Sequence, residues 1–369
     1  MNLNQEILKQ LVQIESYSGQ EEKLASFIMD FCQKNNLTVE KQNKNIVIKF
    51  LTGSKKCLIF NAHMDTVKPG DIELWQYPPF GENSGIVKDG KLYGLGASDD
   101  KAGIASFLSL ALLLKNKKPL IDIIFAFVTK EEVDGSGTKS FISFFSEKYL
   151  KSYKEIAVII GEPTNLNSLE IGNRGNYFIK LITHGNSGHG SQPHLIKKHA
   201  IEEMIEVIAM VKKIGKELGA KYKDKILGSP TFSLTGIQTP GNSPNKIPDT
   251  CYSIWDIRTT PKLHNKLLSI MKKQLKGKTT IELISNPVSY ALTSPKEKII
   301  SIIKSLVPSL NIKIAPGSND TCFFTQIGFP AITFGPGSKE VIHKANEFAE
   351  LKNIYKAVKI YHKVIDFFK

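Results

Sequence analysis

Arginine is almost absent from this chain of 369 residues: Arg174 and Arg258 are the only two, although lysine raises the formal net charge to +14. In proteins that bind nucleic acids, arginine guanidinium groups usually contact the phosphates and base edges, so scattered lysines are poorly suited to nucleic-acid binding. We therefore expect no nucleic-acid partner. The two arginines are instead candidates for carboxylate recognition, because a planar guanidinium can donate two parallel hydrogen bonds to a carboxylate and a lysine ammonium cannot.

Cysteines and long apolar runs are also scarce. Cys32, Cys57, Cys251 and Cys322 lie far apart, show no C-x-x-C spacing and have apolar neighbours, a pattern typical of buried free thiols. No apolar run approaches the roughly 18 residues of a membrane span. The start, Met-Asn-Leu-Asn-Gln-Glu, lacks a basic segment leading into an apolar one. These absences predict a cytoplasmic protein that binds no membrane.

Helices alternate with short apolar strands in the first and last parts of the chain. Helical periodicity marks residues 4–16, 20–35, 101–114, 295–306 and 346–368. Continuous Ile, Val and Phe runs predict strands at 46–50, 57–61, 121–128, 156–160 and 331–334. This alternation indicates an α/β fold with a mostly parallel sheet covered by helices on both faces.

The middle of the chain has a different pattern. Strands are expected at 177–183, 231–235, 251–258 and 279–284, and helices at 195–218 and 261–275. This β-α-β-β-α-β order predicts an α+β, ferredoxin-like domain inserted into the larger one. The chain is also longer than one hydrophobic core usually supports. The predicted division is 1–175, then the inserted domain at 176–290, then 291–369.

Acidic and histidine side chains follow the predicted strands where each strand ends. They are His63, Asp65, Glu131, Glu132, Glu162 and His343, together with Asp99 and Asp100 in a glycine-rich turn that opens a helix. In open α/β sheets ligands bind outside the carboxyl ends of the strands. We therefore expect these groups to converge.

Carboxylates and imidazoles without a thiolate are a ligand set suited to zinc, with cobalt or manganese as substitutes. Crowded carboxylates would repel one another unless a pair of divalent ions compensated their charge. Asp65, on the same face of an extended segment as His63, is expected to accept the second ring N–H of that histidine. Of the adjacent Glu131 and Glu132, one can bind metal while the other takes a proton from water. The alternative for this pair is an acidic helix start favoured by the helix dipole.

These motifs resemble the dinuclear zinc amidohydrolase and peptidase superfamily that includes acetylornithine deacetylase, succinyl-diaminopimelate desuccinylase, glutamate carboxypeptidase and aminoacylase. The resemblance extends over essentially the whole chain. The segments that carry it are 63–65, 96–103, 129–132, 161–164, 188–190, 242–245, 256–258 and the His343 that follows Phe334-Gly-Pro-Gly.

The resemblance implies a zinc exopeptidase-like catalytic domain that holds two Zn²⁺ ions. The implied metal ligands are His63, Asp99, Glu132, Glu162 and His343. Asp99 would bridge the metals and be joined to Asp100 by a cis peptide bond. Glu131 would be the general base, with Asp65 as the catalytic partner of His63.

The resemblance also makes the inserted segment a lid or dimerisation domain, and hence the protein a homodimer. Within it, His189 would stabilise the tetrahedral oxyanion. Arg258, Asn242 and Asn245 resemble substrate-carboxylate contacts. Arg174 lies near the hinge into the lid, where a hinge salt bridge is the alternative to a substrate contact.

The expected reaction is hydrolysis of the amide bond of a small N-acyl amino acid. We favour a desuccinylase slightly over an acetylornithine deacetylase, although the loop at 317–322 departs from the Ser-Gly-Thr-Ser-Asp-type sequence of desuccinylases. A glutamate carboxypeptidase-like exopeptidase is a third option. The alternative outside enzymes is a metal-binding scaffold protein, against which the presence of Glu131 argues.

Overall fold

The computed structural model describes residues 3–241 and 243–369. Asn242, one of the predicted substrate contacts, therefore lies outside the described residues. The α-helices are α1 (Leu3–Gln13), α2 (Glu22–Lys34), α3 (Lys101–Asn116), α4 (Ser136–Lys148), α5 (Ala200–Lys221), α6 (Pro261–His264), α7 (Leu267–Gln274), α8 (Lys298–Leu306), α9 (Thr321–Gln326) and α10 (Leu351–Phe368).

Strands are spread along the whole chain. They are β1 (Val39–Gln42), β2 (Asn45–Phe50), β3 (Lys56–His63), β4 (Ile86–Lys88), β5 (Lys91–Tyr93), β6 (Asp122–Val128), β7 (Glu155–Pro163), β8 (Ser168–Asn173), β9 (Gly175–His184), β10 (Gly188–His189), β11 (Thr231–Gln238), β12 (Lys246–Ile247), β13 (Thr250–Thr259), β14 (Thr280–Leu283), β15 (Ala291–Leu292), β16 (Asn311–Ala315), β17 (Ala331–Gly335) and β18 (Phe348–Glu350). The chain divides into two compact units.

The first unit comprises the described residues up to Ile171 together with Leu292–Lys313 and Asn319–Lys369. Its large sheet contains the run β1-β2-β6-β3-β7-β17. The neighbours β6, β3, β7 and β17 are parallel, whereas β2 pairs with β6 in antiparallel fashion. The predicted mostly parallel sheet is therefore confirmed.

Helices cover both faces of this sheet because alternate side chains of its strands are apolar in both directions. On one face Phe60 and Phe125 pack with Phe107 of α3 and Tyr361 of α10. On the other face the buried cluster includes Ile59, Ile124, Phe141 and Phe145 of α4, and Phe324 of α9. The strands are thereby held with their carboxyl ends together at one edge.

The second unit comprises Gly172–Ala291 and Ile314–Ser318. Its antiparallel sheet has the order β11-β13-β9-β14. Burial alternates residue by residue along β13, and the buried side chains of the sheet form one core with α5, α6 and α7. This is the β-α-β-β-α-β arrangement expected of a ferredoxin-like domain.

Several predicted helix starts are wrong. α5 begins at Ala200 instead of residue 195, because His199 occupies the N-cap position and its Nδ1 accepts a hydrogen bond from the Glu202 N–H. Residues 261–275 form the two helices α6 and α7. α10 begins at Leu351 instead of residue 346, because Phe348–Glu350 pair with β5 as strand β18.

The predicted free thiols are confirmed, since all four cysteines are unpaired and buried. Among the described residues, no helix combines the length and apolar character needed to cross a membrane.

Candidate functional site

Asp99 lies between two histidines at the carboxyl edge of the large sheet. Its Oδ1 is 3.0 Å from Nε2 of His63, the last residue of β3. Its Oδ2 is 3.5 Å from Nε2 of His343, in the loop after β17. One carboxylate therefore faces both imidazoles, one with each oxygen.

Two more carboxylates complete this arrangement. Oε1 of Glu162 is 3.9 Å from His63 Nε2, and Oε1 of Glu132 is 3.0 Å from His343 Nε2. Candidate ligand atoms of His63, Asp99 and Glu132 lie within 4.8 Å of one another, as do those of His63, Glu131 and Glu162. The structure thus brings together every side chain that the sequence analysis proposed as a metal ligand or base.

Parallel strand pairing explains why these groups converge. His63 of β3 is in register with Val128 at the end of β6, and β7 pairs with β3 on its other side. After β6 the backbone turns at Lys130, whose φ is 57°, and this turn delivers Glu131 and Glu132. At the end of β17, Gly335 packs on the backbone of Gly161, where a Cβ atom would lie 1.7 Å from the Gly161 oxygen. This close approach places Glu162 beside the segment that leads to His343.

Asp65 lies beside His63 and has further partners that were not predicted. His63 Nδ1 is 2.9 Å from the backbone oxygen of Asp65 and 3.5 Å from its carboxylate Oδ1. The Asp65 carboxylate also accepts the N–H groups of Glu131 at 3.0 Å and Glu132 at 3.2 Å, and the Ser18 hydroxyl at 2.7 Å. Asp65 therefore holds the Glu131-Glu132 turn against β3.

The peptide bond between Asp99 and Asp100 is cis, as the resemblance implied. Asp100 is fully buried, with its carboxyl group against the backbone of Gly103 and Gly161. Burial raises the pKa of Asp100 well above its usual value. Asp99, and not Asp100, faces the histidines.

The pKa values in the cluster reflect crowded carboxyl groups. Burial and the charge of Asp99 raise the pKa of Glu162 to about 8. Burial, Glu162 and Asp320 raise the pKa of Glu131 well above its usual value. Burial opposes ionisation of Asp99 as well, but hydrogen bonds from His343 and His63 hold its pKa low. Divalent cations would compensate this repulsion, and the oxygen and imidazole donor set fits them.

Two carboxyl groups of this region were missed by the sequence analysis. Glu347 is 1 % exposed and accepts backbone N–H groups from the turn that bears Asp99. Burial and Asp99 raise its pKa to about 8. Asp320 is buried and accepts a hydrogen bond from Thr138. Glu347 lies twelve residues beyond the end of β17, and the strand β16 that precedes Asp320 was not predicted, so the strand-end criterion found neither residue.

Four further predicted site residues belong to the second unit, namely His189, Asn245, Arg174 and Arg258. His189 is exposed, and its Nδ1 is 2.7 Å from the Ser191 hydroxyl. Asn245 is also exposed and immediately precedes β12, the strand that pairs with β10. The Gly190 N–H donates to the Asn245 carbonyl at 2.8 Å. The structure therefore joins the loops of these two residues.

The two arginines also lie near each other in the second unit. Arg258 is bound by Asp256 through two hydrogen bonds of 2.8 and 2.9 Å. Arg174 donates to the Ser229 carbonyl at 2.8 Å. Burial and the neighbouring Arg258 guanidinium lower the pKa of Arg174.

Residues 59–366 match the sequence profile described as peptidase family M20/M25/M40. The chain belongs to this family. The match contains the whole carboxylate and histidine cluster. Membership makes the protein a metal-dependent hydrolase of amide bonds, the class that the sequence analysis predicted.

Curated relatives of this M20/M25/M40 chain match it over most of its length. The succinyl-diaminopimelate desuccinylase of Wolbachia pipientis wMel is 27% identical over 98% of this chain and 92% of the relative. The acetylornithine deacetylase of Buchnera aphidicola subsp. Schizaphis graminum (strain Sg) is 32% identical over 90% of this chain and 86% of the relative.

The family fold is also found in solved structures. The M20 family metallo-carboxypeptidase Sso-CP2 from Sulfolobus solfataricus superposes with a TM-score of 0.79 at 17% identity, covering 100% of this chain and 99% of that chain. At this identity the likeness establishes the fold of the M20/M25/M40 chain.

Proposed function

We propose that this chain hydrolyses the amide bond of a small N-acyl amino acid, as a succinyl-diaminopimelate desuccinylase does, and that it uses two zinc ions. The observation that carries the proposal is the position of Asp99 between His63 and His343, with Glu162 beside the first histidine and Glu132 beside the second. Each histidine thus has its own carboxylate and shares Asp99. This pattern suits two metal positions with one common ligand.

His63, Asp99 and Glu162 would hold one ion, and Asp99, Glu132 and His343 the other. The oxygen and imidazole donors favour Zn²⁺, with Co²⁺ or Mn²⁺ as substitutes. Bound zinc supplies a Lewis acid that polarises the amide carbonyl and lowers the pKa of water. The charge of two divalent ions would also offset the repulsion among the carboxylates.

Glu131 is the general base in this proposal. Its carboxylate lies with His63 and Glu162, and its N–H is bound to Asp65, so its backbone is fixed relative to β3. Glu131 takes a proton from the attacking water and returns it to the leaving amine. His189 would stabilise the oxyanion as a hydrogen-bond donor.

Arginine supplies the recognition of the substrate carboxylate in this proposal. Arg174 and Arg258 are the only arginines in the chain and lie near each other. The Arg258 guanidinium already donates two hydrogen bonds to the Asp256 carboxylate. A substrate carboxylate therefore has to share the guanidinium with Asp256 or displace Asp256 from it. Asn245 would contribute a further polar contact.

We also propose a cytoplasmic homodimer formed through the second unit, which would serve as its lid and dimerisation domain.

The acyl group is supported by the relatives and not by the metal-site geometry. The desuccinylase relative covers more of the chain, whereas the acetylornithine deacetylase relative is the more similar in identity. Acetylornithine deacetylase is therefore the second candidate function.

Substrate preference can be measured with the purified protein loaded with zinc. Succinyl-diaminopimelate, acetylornithine and a dipeptide with C-terminal glutamate would be compared by kcat/KM. We expect the succinyl substrate to be preferred by at least about tenfold, a difference of about 1.4 kcal/mol in transition-state binding. A preference for acetylornithine selects the second candidate, and a preference for the dipeptide indicates a carboxypeptidase. Failure of the zinc-loaded protein to hydrolyse any of the three contradicts the proposal.

A further inference from the structure

The carboxylate of Glu347 is buried beneath the turn that carries Asp99. Its Oε1 accepts the N–H groups of Ser98 at 2.8 Å and of Asp99 at 3.0 Å. Its Oε2 accepts the N–H of Gly96 at 3.1 Å. A buried carboxylate with several backbone donors is held in one orientation. If it rotated away, the carboxylate and the backbone N–H groups would be left buried without hydrogen-bond partners.

Residues on either side of Glu347 are bound to the same part of the chain. The Asn346 carboxamide accepts from the N–H groups of Gln76 and Tyr77 at 2.7 and 3.2 Å and donates to the Leu74 carbonyl at 3.0 Å. The Glu347 carbonyl accepts the Gly94 N–H at 3.0 Å. β18 then pairs with β5. Residues 346–350 are thus fastened along their length to residues 74–99.

The backbone of the loop is bent at two residues that bear side chains. φ is 58° at His343 and 61° at Asn346, a region that non-glycine residues seldom adopt. Such a bend persists only where surrounding contacts specify it. The hydrogen bonds of Asn346 and Glu347 are those contacts on the carboxyl side of His343.

We propose that Glu347 is a positioning residue that sets the distance between Asp99 and His343 by joining the two segments of chain that carry them. The inference rests on the proposed function, because it takes both residues as ligands of the same metal pair. Glu347 orients Asp99 through the Asp99 backbone, and it fixes the loop only four residues beyond His343. Outer groups that orient metal ligands in this way typically contribute 10- to 100-fold to metal affinity, by the order of magnitude seen in other metal sites.

The test compares Glu347→Gln, Glu347→Ala and the control Glu350→Gln. Glu350 lies three residues further on, and its carboxylate pairs with Lys352 at 2.6 Å near the surface. In Glu347→Gln the amide oxygen can still accept from Ser98 and Asp99, while the NH₂ group opposes the Gly96 N–H. Glu347→Ala removes all of these acceptors. We expect zinc affinity, measured by competition with a chromogenic chelator, to fall about tenfold in the first variant and about 100-fold in the second.

The visible absorption spectrum of the Co²⁺-loaded protein is the second measurement, because it reports ligand geometry and is not altered by a uniform loss of stability. We expect the spectrum to change in both Glu347 variants and to be unchanged in Glu350→Gln. Wild-type zinc affinity and spectrum in Glu347→Gln overturn the proposal, and they do so even when Glu347→Ala fails to fold. A wild-type protein that takes up no zinc contradicts the proposed function instead, so the two failures are distinguishable.

Discussion

Two adjacent glutamates in this site point to different neighbours. Their N–H groups are both bound to the Asp65 carboxylate. The Glu132 carboxylate then faces His343, whereas the Glu131 carboxylate lies with His63 and Glu162. Because Asp65 restrains both backbones, side-chain substitutions at the two positions can be compared without a difference in backbone support.

Substitution of these glutamates should separate catalysis from metal binding. Glu131→Ala removes the proposed base, so kcat should fall by about 10²- to 10⁴-fold while the zinc content stays at the wild-type value. Glu132→Ala removes a proposed ligand and should reduce the zinc content. Elemental analysis and steady-state kinetics on both variants check this. Robust turnover in Glu131→Ala, or full zinc content with a normal rate in Glu132→Ala, would show that the roles are assigned wrongly.

At the scale of elements, the site depends on strand ends that approach very closely. Gly335 ends β17 with its Cα against the end of β7: a Cβ atom there would lie 1.7 Å from the Gly161 oxygen and 2.5 Å from the Glu162 oxygen. Both contacts are to backbone, which cannot move aside as a flexible side chain can. The absence of a side chain at residue 335 therefore allows β17 and β7 to remain paired where Glu162 is presented.

Gly335→Ala should destabilise the protein and displace Glu162. We expect a loss of at least about 1–3 kcal/mol in the free energy of unfolding, the usual cost of overpacking, together with a lower zinc affinity. Chemical denaturation and chelator competition measure the two effects. Gly317→Ala is the matched control, because no atom lies within 4 Å of a Cβ at that position. Equal stability of the two variants would contradict this account of the strand ends.

At the scale of the whole molecule, proton binding and metal binding both offset the negative charge of the same buried carboxyl groups. Burial raises the pKa of Glu162 from 4.5 to about 8, of Glu347 from 4.5 to about 8, and of Asp320 from 3.8 to about 7. Between the ordinary and the raised values the folded protein binds more protons than the unfolded chain. The stability of the metal-free protein therefore falls as pH rises through this window. The lowered pKa of Asp99 affects the stability only below pH 3.8. Burial lowers the pKa of Lys101 to about 7, so Lys101 makes the stability rise with pH only above about pH 7.

The Tm of the protein stripped with a chelator should consequently fall between about pH 5 and about pH 7, by at least about 5 °C. Added zinc should raise the Tm and remove most of this pH dependence, because binding to the folded state stabilises it and replaces the protons. Differential scanning fluorimetry with and without zinc provides the comparison. A stripped protein whose Tm stays constant or rises over this range would contradict the interpretation.

The parts of the fold that the sequence predicts well are those with a simple pattern of apolar residues. Buried strands such as β3 and β6 are continuous apolar runs, and α3 is a long apolar segment. β8, with the sequence Ser-Leu-Glu-Ile-Gly-Asn, and α4, which opens with Ser-Gly-Thr, were missed. Both contain residues with poor intrinsic preference for the structure they adopt, so tertiary packing decides their conformation.

For the site, the sequence by itself determined which residue types stand at the strand ends, because strand position and side-chain chemistry are both local properties. The family resemblance distinguished Asp99 from Asp100 and Glu131 from Glu132. Only the tertiary structure decided that the Asp65 carboxylate binds two backbone N–H groups, that Asp256 occupies Arg258, and that Glu347 lies under the Asp99 turn. These outcomes depend on competition among donors and acceptors brought together by folding. Residues 248 positions apart, such as Asp99 and Glu347, have no local pattern that predicts their contact.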